Sequence, residues 1–139
     1  MRSFLDTSVL LASLDPDEPH HVACDQLVAQ GAHGAYSHAF AECFSILTGG
    51  RLGRRVPAAL AVQLLQESVL PFVQPCALDS AQLLQALASC HERGARGGAV
   101  YDLPHLAAAR SASVQVFYTL NLRDFKALAR PGDPRVESP

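Results

Sequence analysis

"RSFLDTSVLLASL", residues 2–14, holds the pattern on which the rest of the chain is read. Residues 2–6 are a short, mostly apolar run ending in a carboxylate, which reads as a buried strand that finishes at Asp6. "TSVLLASL" then reads as a helix with Thr7 or Ser8 near its start, and the capping role is assigned to one of those hydroxyls. A carboxylate at the end of a buried strand needs a reason, and the reason depends on what other carboxylates follow.

Outward from this unit the alternation repeats. Pro19 is expected to open a second helix, which "HHVACDQLVAQ" carries to a stop at Gly31. "GAYS" (34–37) fits a small strand, and residues 38–48 fit a helix carrying Phe40, Phe44 and Leu47, ended by Gly49 and Gly50. "RLGRR" (51–55) is a polar break. Pro57 opens a helix over 58–70, and "PFVQPCAL" (71–78) reads as an extended segment with room for a short strand. Asp79 caps a helix that stops at Gly94. A further helix covers 99–112, where Pro104 is tolerable only in the first turn. "VQVFYT" (114–119) is the clearest strand, "NLRDFKAL" (121–128) is a loop and short helix, and a last short strand lies near Val136. Strands alternating with helices predict a three-layer α/β/α sandwich around a mostly parallel sheet, as one domain over residues 1–139. In such sheets ligands bind beyond the carboxyl ends of the strands, where strand order reverses. Asp6 stands at such an end.

Composition narrows the class. With 139 residues, 49% hydrophobic and 17% charged, the chain has the make-up of a folded domain rather than a disordered segment. No apolar run approaches the roughly 20 residues needed to span a bilayer. The first apolar segment is interrupted by Asp6 and makes a poor secretion signal, so the expectation is a cytoplasmic protein. A net charge of −2 excludes a polycation that coats nucleic acid. Cys24, Cys43, Cys76 and Cys90 form no C-x-x-C pair and read as small hydrophobes in a reducing compartment.

Four acidic residues depart from the usual solvated or capping positions. Asp6 ends the first strand, and Glu42 lies in an apolar helical stretch between Ala41 and Cys43. Asp102 opens a helix after "GGAVY", and Asp124 follows the strand 114–119 beside Phe125. A Glu flanked by apolar residues in mid-helix requires a cation, a partner or solvent. If the strand ending at Thr119 neighbours the first, Asp6 and Asp124 share one edge of the sheet. Converging carboxylates repel, and a cation among them relieves the repulsion. Oxygen-rich sites with open positions suit Mg²⁺ or Mn²⁺, ions that activate water and stabilise charge on a phosphoryl group. The pattern points to metal-assisted hydrolysis of a phosphodiester.

The segments around these acids are "FLDTSVLLA", "SHAFAECFSILT", "VYDLPHLAAAR" and "TLNLRDF". In their order and separation the chain resembles the PIN-domain nucleases, and within them the VapC-type toxins of toxin–antitoxin pairs. The resemblance implies a five-stranded parallel sheet with the first strand central. It implies an acidic quartet of Asp6, Glu42, Asp102 and Asp124, with Asp6 and Asp102 as direct Mg²⁺ or Mn²⁺ ligands and Glu42 and Asp124 binding directly or through water. It also implies that Thr7, Ser8, Thr119 and Asn121 hydrogen-bond the carboxylates or a coordinated water. The implied activity is endoribonuclease cleavage of RNA, with a homodimer and an inhibitory antitoxin as common company. Pro104 departs from the relatives, which usually carry a helix former there.

Other residues carry weaker signals. Arg51, Arg54 and Arg55 are either a solvated loop or phosphate contacts for RNA. His20 and His21 read as an exposed helix start rather than metal ligands, and His105, on roughly the same helix face as Asp102, as a packing residue with a supporting contact behind the acids as the alternative. Three alternatives stay open: a phosphotransferase using Asp6 as nucleophile, a catalytically silent PIN-like binding module, and an RNA-maturation nuclease with no antitoxin.

Overall fold

The computed structural model describes residues Met1–Pro139. Five strands, β1 (Ser3–Leu5), β2 (His33–Tyr36), β3 (Val73–Cys76), β4 (Val116–Tyr118) and β5 (Arg135–Glu137), form one sheet. Their order is β3-β2-β1-β4-β5 and every neighbouring pair is parallel. β1 is therefore central, and strand order reverses between β1 and β4. Eight helices connect and cover the strands: α1 (Thr7–Leu14), α2 (His21–Ala29), α3 (His38–Gly49), α4 (Ala58–Leu64), α5 (Ser80–Ala88), α6 (Cys90–Arg93), α7 (Leu103–Ser111) and α8 (Leu122–Leu128). No helix is long and apolar enough to cross a membrane.

The pleat of β1 divides the core in two. Successive residues of a strand face opposite sides of the sheet. Leu5 joins Val9, Leu10, Leu27, Val28, Ala39 and Val69 on one side, whereas Phe4 joins Leu103, Leu106, Phe117, Phe125 and Val136 on the other. Phe4 pairs in register with Phe117 on β4, and their rings stack with centroids 6.3 Å apart. Phe125 of α8 then packs on Phe117 at 4.8 Å. At the amino end of the sheet, Ser3 Oγ lies 2.8 Å from His33 Nδ1, and His33 Nε2 lies 2.7 Å from the Leu27 carbonyl. The carbonyl can only accept, so Nε2 carries the hydrogen and Nδ1 accepts from Ser3, leaving both buried ring nitrogens satisfied.

Several expected elements shift for local reasons. Pro19 lies in the turn before α2, which starts at His21. The helix expected over 58–70 ends in one π-helical turn, Leu65–Val69, that brings both Leu65 and Val69 into the core. The helix after Asp79 breaks at Ser89 into α5 and α6. The one expected over 99–112 divides into a 3₁₀ turn, Gly97–Tyr101, and α7. Pro104 falls in the first turn of α7, where a missing N–H breaks no intrahelical bond. Pro75 sits in β3, an edge strand, where proline is tolerated. All four cysteines are free, with Cys24 and Cys43 buried.

Candidate active site

The reversal of strand order opens between Asp6, at the end of β1, and Thr119, just past β4. Asp6 is 3% exposed. Its Oδ1 accepts from the Val9 N–H at 3.1 Å and from Ser8 Oγ at 2.6 Å, and its Oδ2 accepts from Thr119 Oγ1 at 2.6 Å. The bond from Val9 makes Asp6 itself the N-cap of α1, so the capping role assigned to Thr7 or Ser8 belongs to Asp6. Burial pushes the Asp6 carboxyl above its ordinary value, and the three donors from Ser8, Thr119 and Val9 pull the other way.

The two hydroxyls on Asp6 also tie down the facing loop. Ser8 Oγ accepts from the Leu120 N–H at 2.9 Å, and Thr119 Oγ1 accepts from the Asn121 N–H at 2.9 Å. Each hydroxyl thus donates to the carboxylate and accepts from a loop amide. Asn121 joins this network through its backbone. The loop leads into α8, whose first turn carries Asp124.

Glu42 approaches from α3. Its Oε2 accepts from Thr7 Oγ1 at 2.9 Å, and its Oε1 lies 3.0 Å from His105 Nε2. Thr7 therefore serves Glu42 rather than the neighbouring Asp6. Burial raises the Glu42 carboxyl, but the hydrogen bond and charge of His105, with lesser help from Thr7 and His38, hold it below its ordinary value. Of the two readings of His105, packing and a supporting contact behind the acids, the bond to Glu42 shows the second beside the first. The only available signal was its place one turn after Asp102 on the same face.

Asp102 precedes α7 and is half-buried. Its carboxyl is pushed up to about 6 by burial, with Asp6, Asp124 and Glu42 adding repulsion and His105 opposing. Asp102 therefore lies within electrostatic reach of the other three acids. Asp102 and Asp124 line one cavity of about 380 Å³ with Arg93, Gly94, Gly98 and Ala99 among its walls. No three His, Cys, Asp or Glu side chains stand close enough to share a cation as placed. The donor chemistry nonetheless fits a hard divalent ion: the set is all carboxylate, and three of its members raise the fourth.

The three candidate arginines part company. Arg51 lines a shallow groove with Glu42, His38 and Ser45. Arg54 reaches Asp15 and Asp17, each at 3.5 Å, in the loop after α1. Arg55 folds its side chain over Gly50 at the end of α3.

A family model described as the PIN domain matches residues 3–131. Among solved structures, VapC20 of Mycobacterium tuberculosis, described as a sarcin–ricin-loop-cleaving toxin, aligns with a TM-score of 0.70 and 22% identity over 92% of this chain and 98% of that one. VapBC2 of Rickettsia felis, bound to a DNA fragment from its promoter, aligns at 0.63 and 15% identity over 99% and 98%. FitAcB of Neisseria gonorrhoeae aligns at 0.62 and 20% identity over 96% and 94%. At these identities the likeness is one of fold. A comparison with curated proteins finds no match.

Proposed function

Because the chain belongs to the PIN-domain family, we propose that it is a divalent-metal-dependent endoribonuclease, the toxin of a toxin–antitoxin pair acting in the cytoplasm. The observation that carries this reading is that Asp102 shares a cavity with Asp124 and feels the repulsion of Asp6, Asp124 and Glu42, carboxylates from separate elements. Such repulsion is relieved by a cation. Likeness in fold to VapC20 and to VapBC and FitAcB structures supports the toxin assignment, a cognate antitoxin as partner and RNA as substrate; a homodimer is part of the same proposal.

In this reading Asp6 and Asp102 hold Mg²⁺ or Mn²⁺ directly, and Glu42 and Asp124 hold it directly or through water. When bound, the ion supplies neutralisation of phosphoryl charge and acidification of water. The chain's own residues do the rest. Ser8, Thr119 and the α1 amide fix the Asp6 carboxylate and link it to the loop carrying Asn121. Asp124 is exposed in the first turn of α8, and in this reading it orients a water or accepts its proton. Arg51 stands beside Glu42, where a guanidinium can contact a backbone phosphate.

The test is cleavage of RNA by the wild type and by Asp102→Asn, each with Mg²⁺, Mn²⁺ or EDTA. The expected result is cleavage only by the wild type with metal. Activity that survives both chelation and the substitution rules the reading out.

A further inference from the structure

We infer that His105 is a positioning residue, whose Nε2–H fixes the Glu42 carboxylate and couples it to the helix turn that carries Asp102. This inference rests on the metal-dependent reading of the site. An ionised carboxylate can only accept, so the 3.0 Å contact requires the hydrogen on Nε2. Thr7, the neighbour of Asp6, holds the other oxygen of Glu42. Glu42 is thereby clamped between the element that carries Asp6 and the element that carries Asp102.

The surroundings of His105 separate this role from packing. The residue is 2% exposed, with Tyr36 set edge-on at 5.3 Å and Phe125 at 6.5 Å between ring centroids. Its Nδ1 is buried without a hydrogen-bond partner. A leucine could fill this apolar slot without leaving a polar atom stranded, and stranding one is unfavourable. What the imidazole adds over an apolar side chain is the bond from Nε2 to Glu42. The ring's plane is set by its aromatic neighbours, so the direction of that bond is set as well.

Three substitutions distinguish the roles. His105→Gln places an amide nitrogen near the position of Nε2, His105→Asn is too short to reach Glu42, and His105→Leu fills the space without a donor. Mn²⁺ affinity by calorimetry is measured beside kcat and KM for RNA cleavage and Tm in EDTA. His105→Leu and His105→Asn are expected to lose about ten- to hundredfold in Mn²⁺ affinity or kcat, the usual effect of removing a partner that orients a ligand. KM for RNA is expected to hold, and His105→Gln to recover most of the loss. In a Glu42→Gln background, His105→Leu is expected to change Mn²⁺ affinity by less than about twofold, because the coupled partner is already gone. That comparison decides the matter even if a single variant folds poorly. Wild-type affinity and kcat in His105→Leu overturn the inference, as does a His105→Gln protein as impaired as His105→Leu, or a wild type that binds no Mn²⁺. If the affinities follow the expected order but no RNA is cleaved, the ribonuclease reading fails and the positioning role stands.

Discussion

Thr119 donates its hydroxyl hydrogen to Oδ2 of Asp6 at 2.6 Å, joining residues 113 positions apart at the carboxyl ends of two adjacent parallel strands. The Thr119 hydroxyl oxygen in turn accepts from the Asn121 backbone N–H, so one buried hydroxyl satisfies a carboxylate and a loop N–H together. Thr119→Val keeps the shape and strands both partners. The expected loss is about 1–3 kcal/mol of unfolding free energy, read by urea titration, with Thr119→Ser losing less because it keeps the hydroxyl.

Asp102 gives the site a pH signature. Its carboxyl stands at about 6 in the folded protein against 3.8 unperturbed. The folded state holds that proton more tightly, so the contribution to stability is present below about pH 4 and is lost as pH rises through about 6. Asp102→Asn removes the loss. Without metal, the variant is expected to be more stable than wild type by about 1 kcal/mol at pH 7.5, after discounting for partial exposure, and to differ little near pH 4. Paired denaturant titrations in EDTA check this. Added Mg²⁺ is expected to stabilise the wild type more than the variant.

His33 acts in the opposite direction at the other end of the sheet. Burial, with a small contribution from Arg2, lowers its pKa below 6.5, against the pull of the Leu27 carbonyl. The unfolded chain binds that proton more readily, so the contribution is complete above about pH 6.5 and is lost as pH falls through the lower folded value. His33→Gln is expected to be less stable than wild type at pH 7.5, with the difference narrowing by pH 5. A gap that stays constant across that range contradicts the assignment.

Gly34 on β2 has no room for a methyl group. A Cβ there would stand 2.9 Å from two carbons of the Phe4 ring and 2.5 Å from Met1 Sδ. Met1 can move aside, but the Phe4 ring is fully buried. Gly34→Ala is expected to destabilise by about 1–3 kcal/mol, the range for overpacking a core. Combining it with Phe4→Leu is expected to cost less than the sum of the two, because the pair shares one space.

Arg51 and Arg54 are expected to differ in RNA binding. Arg54 faces Asp15 and Asp17, whereas Arg51 lines the groove beside Glu42. Arg51→Ala is expected to reduce the salt slope of log affinity by about 0.7, as for one lost phosphate contact on a single strand. Arg54→Ala is expected to leave the slope nearly unchanged. Binding titrations at several salt concentrations, in EDTA, distinguish the two.

Much of this was legible from local chemistry. The run from "SFL" into "TSVLLASL" marked a buried strand followed by a helix, and the stops at Gly31, Gly50 and Gly94 bounded later elements. Asp79 capped its helix as expected, with Gln82 closing a capping box. These features rest on backbone preferences and apolar periodicity within a few residues, so the linear order of residues determines them. Which hydroxyl serves which carboxylate was decided elsewhere. Thr7 bonds Glu42, 35 positions away, while its neighbour Ser8 bonds Asp6 and a loop amide. His105 meets Glu42 across 63 positions, and Arg54 turns to acids 37 and 39 positions back. Such pairings depend on the order of strands in the sheet and the seating of helices against it. By itself the sequence determined an alternating α/β chain with carboxylates beyond its strands. Only the tertiary structure, by packing distant segments into contact, decided which groups clamp them, orient them and shift their proton affinities.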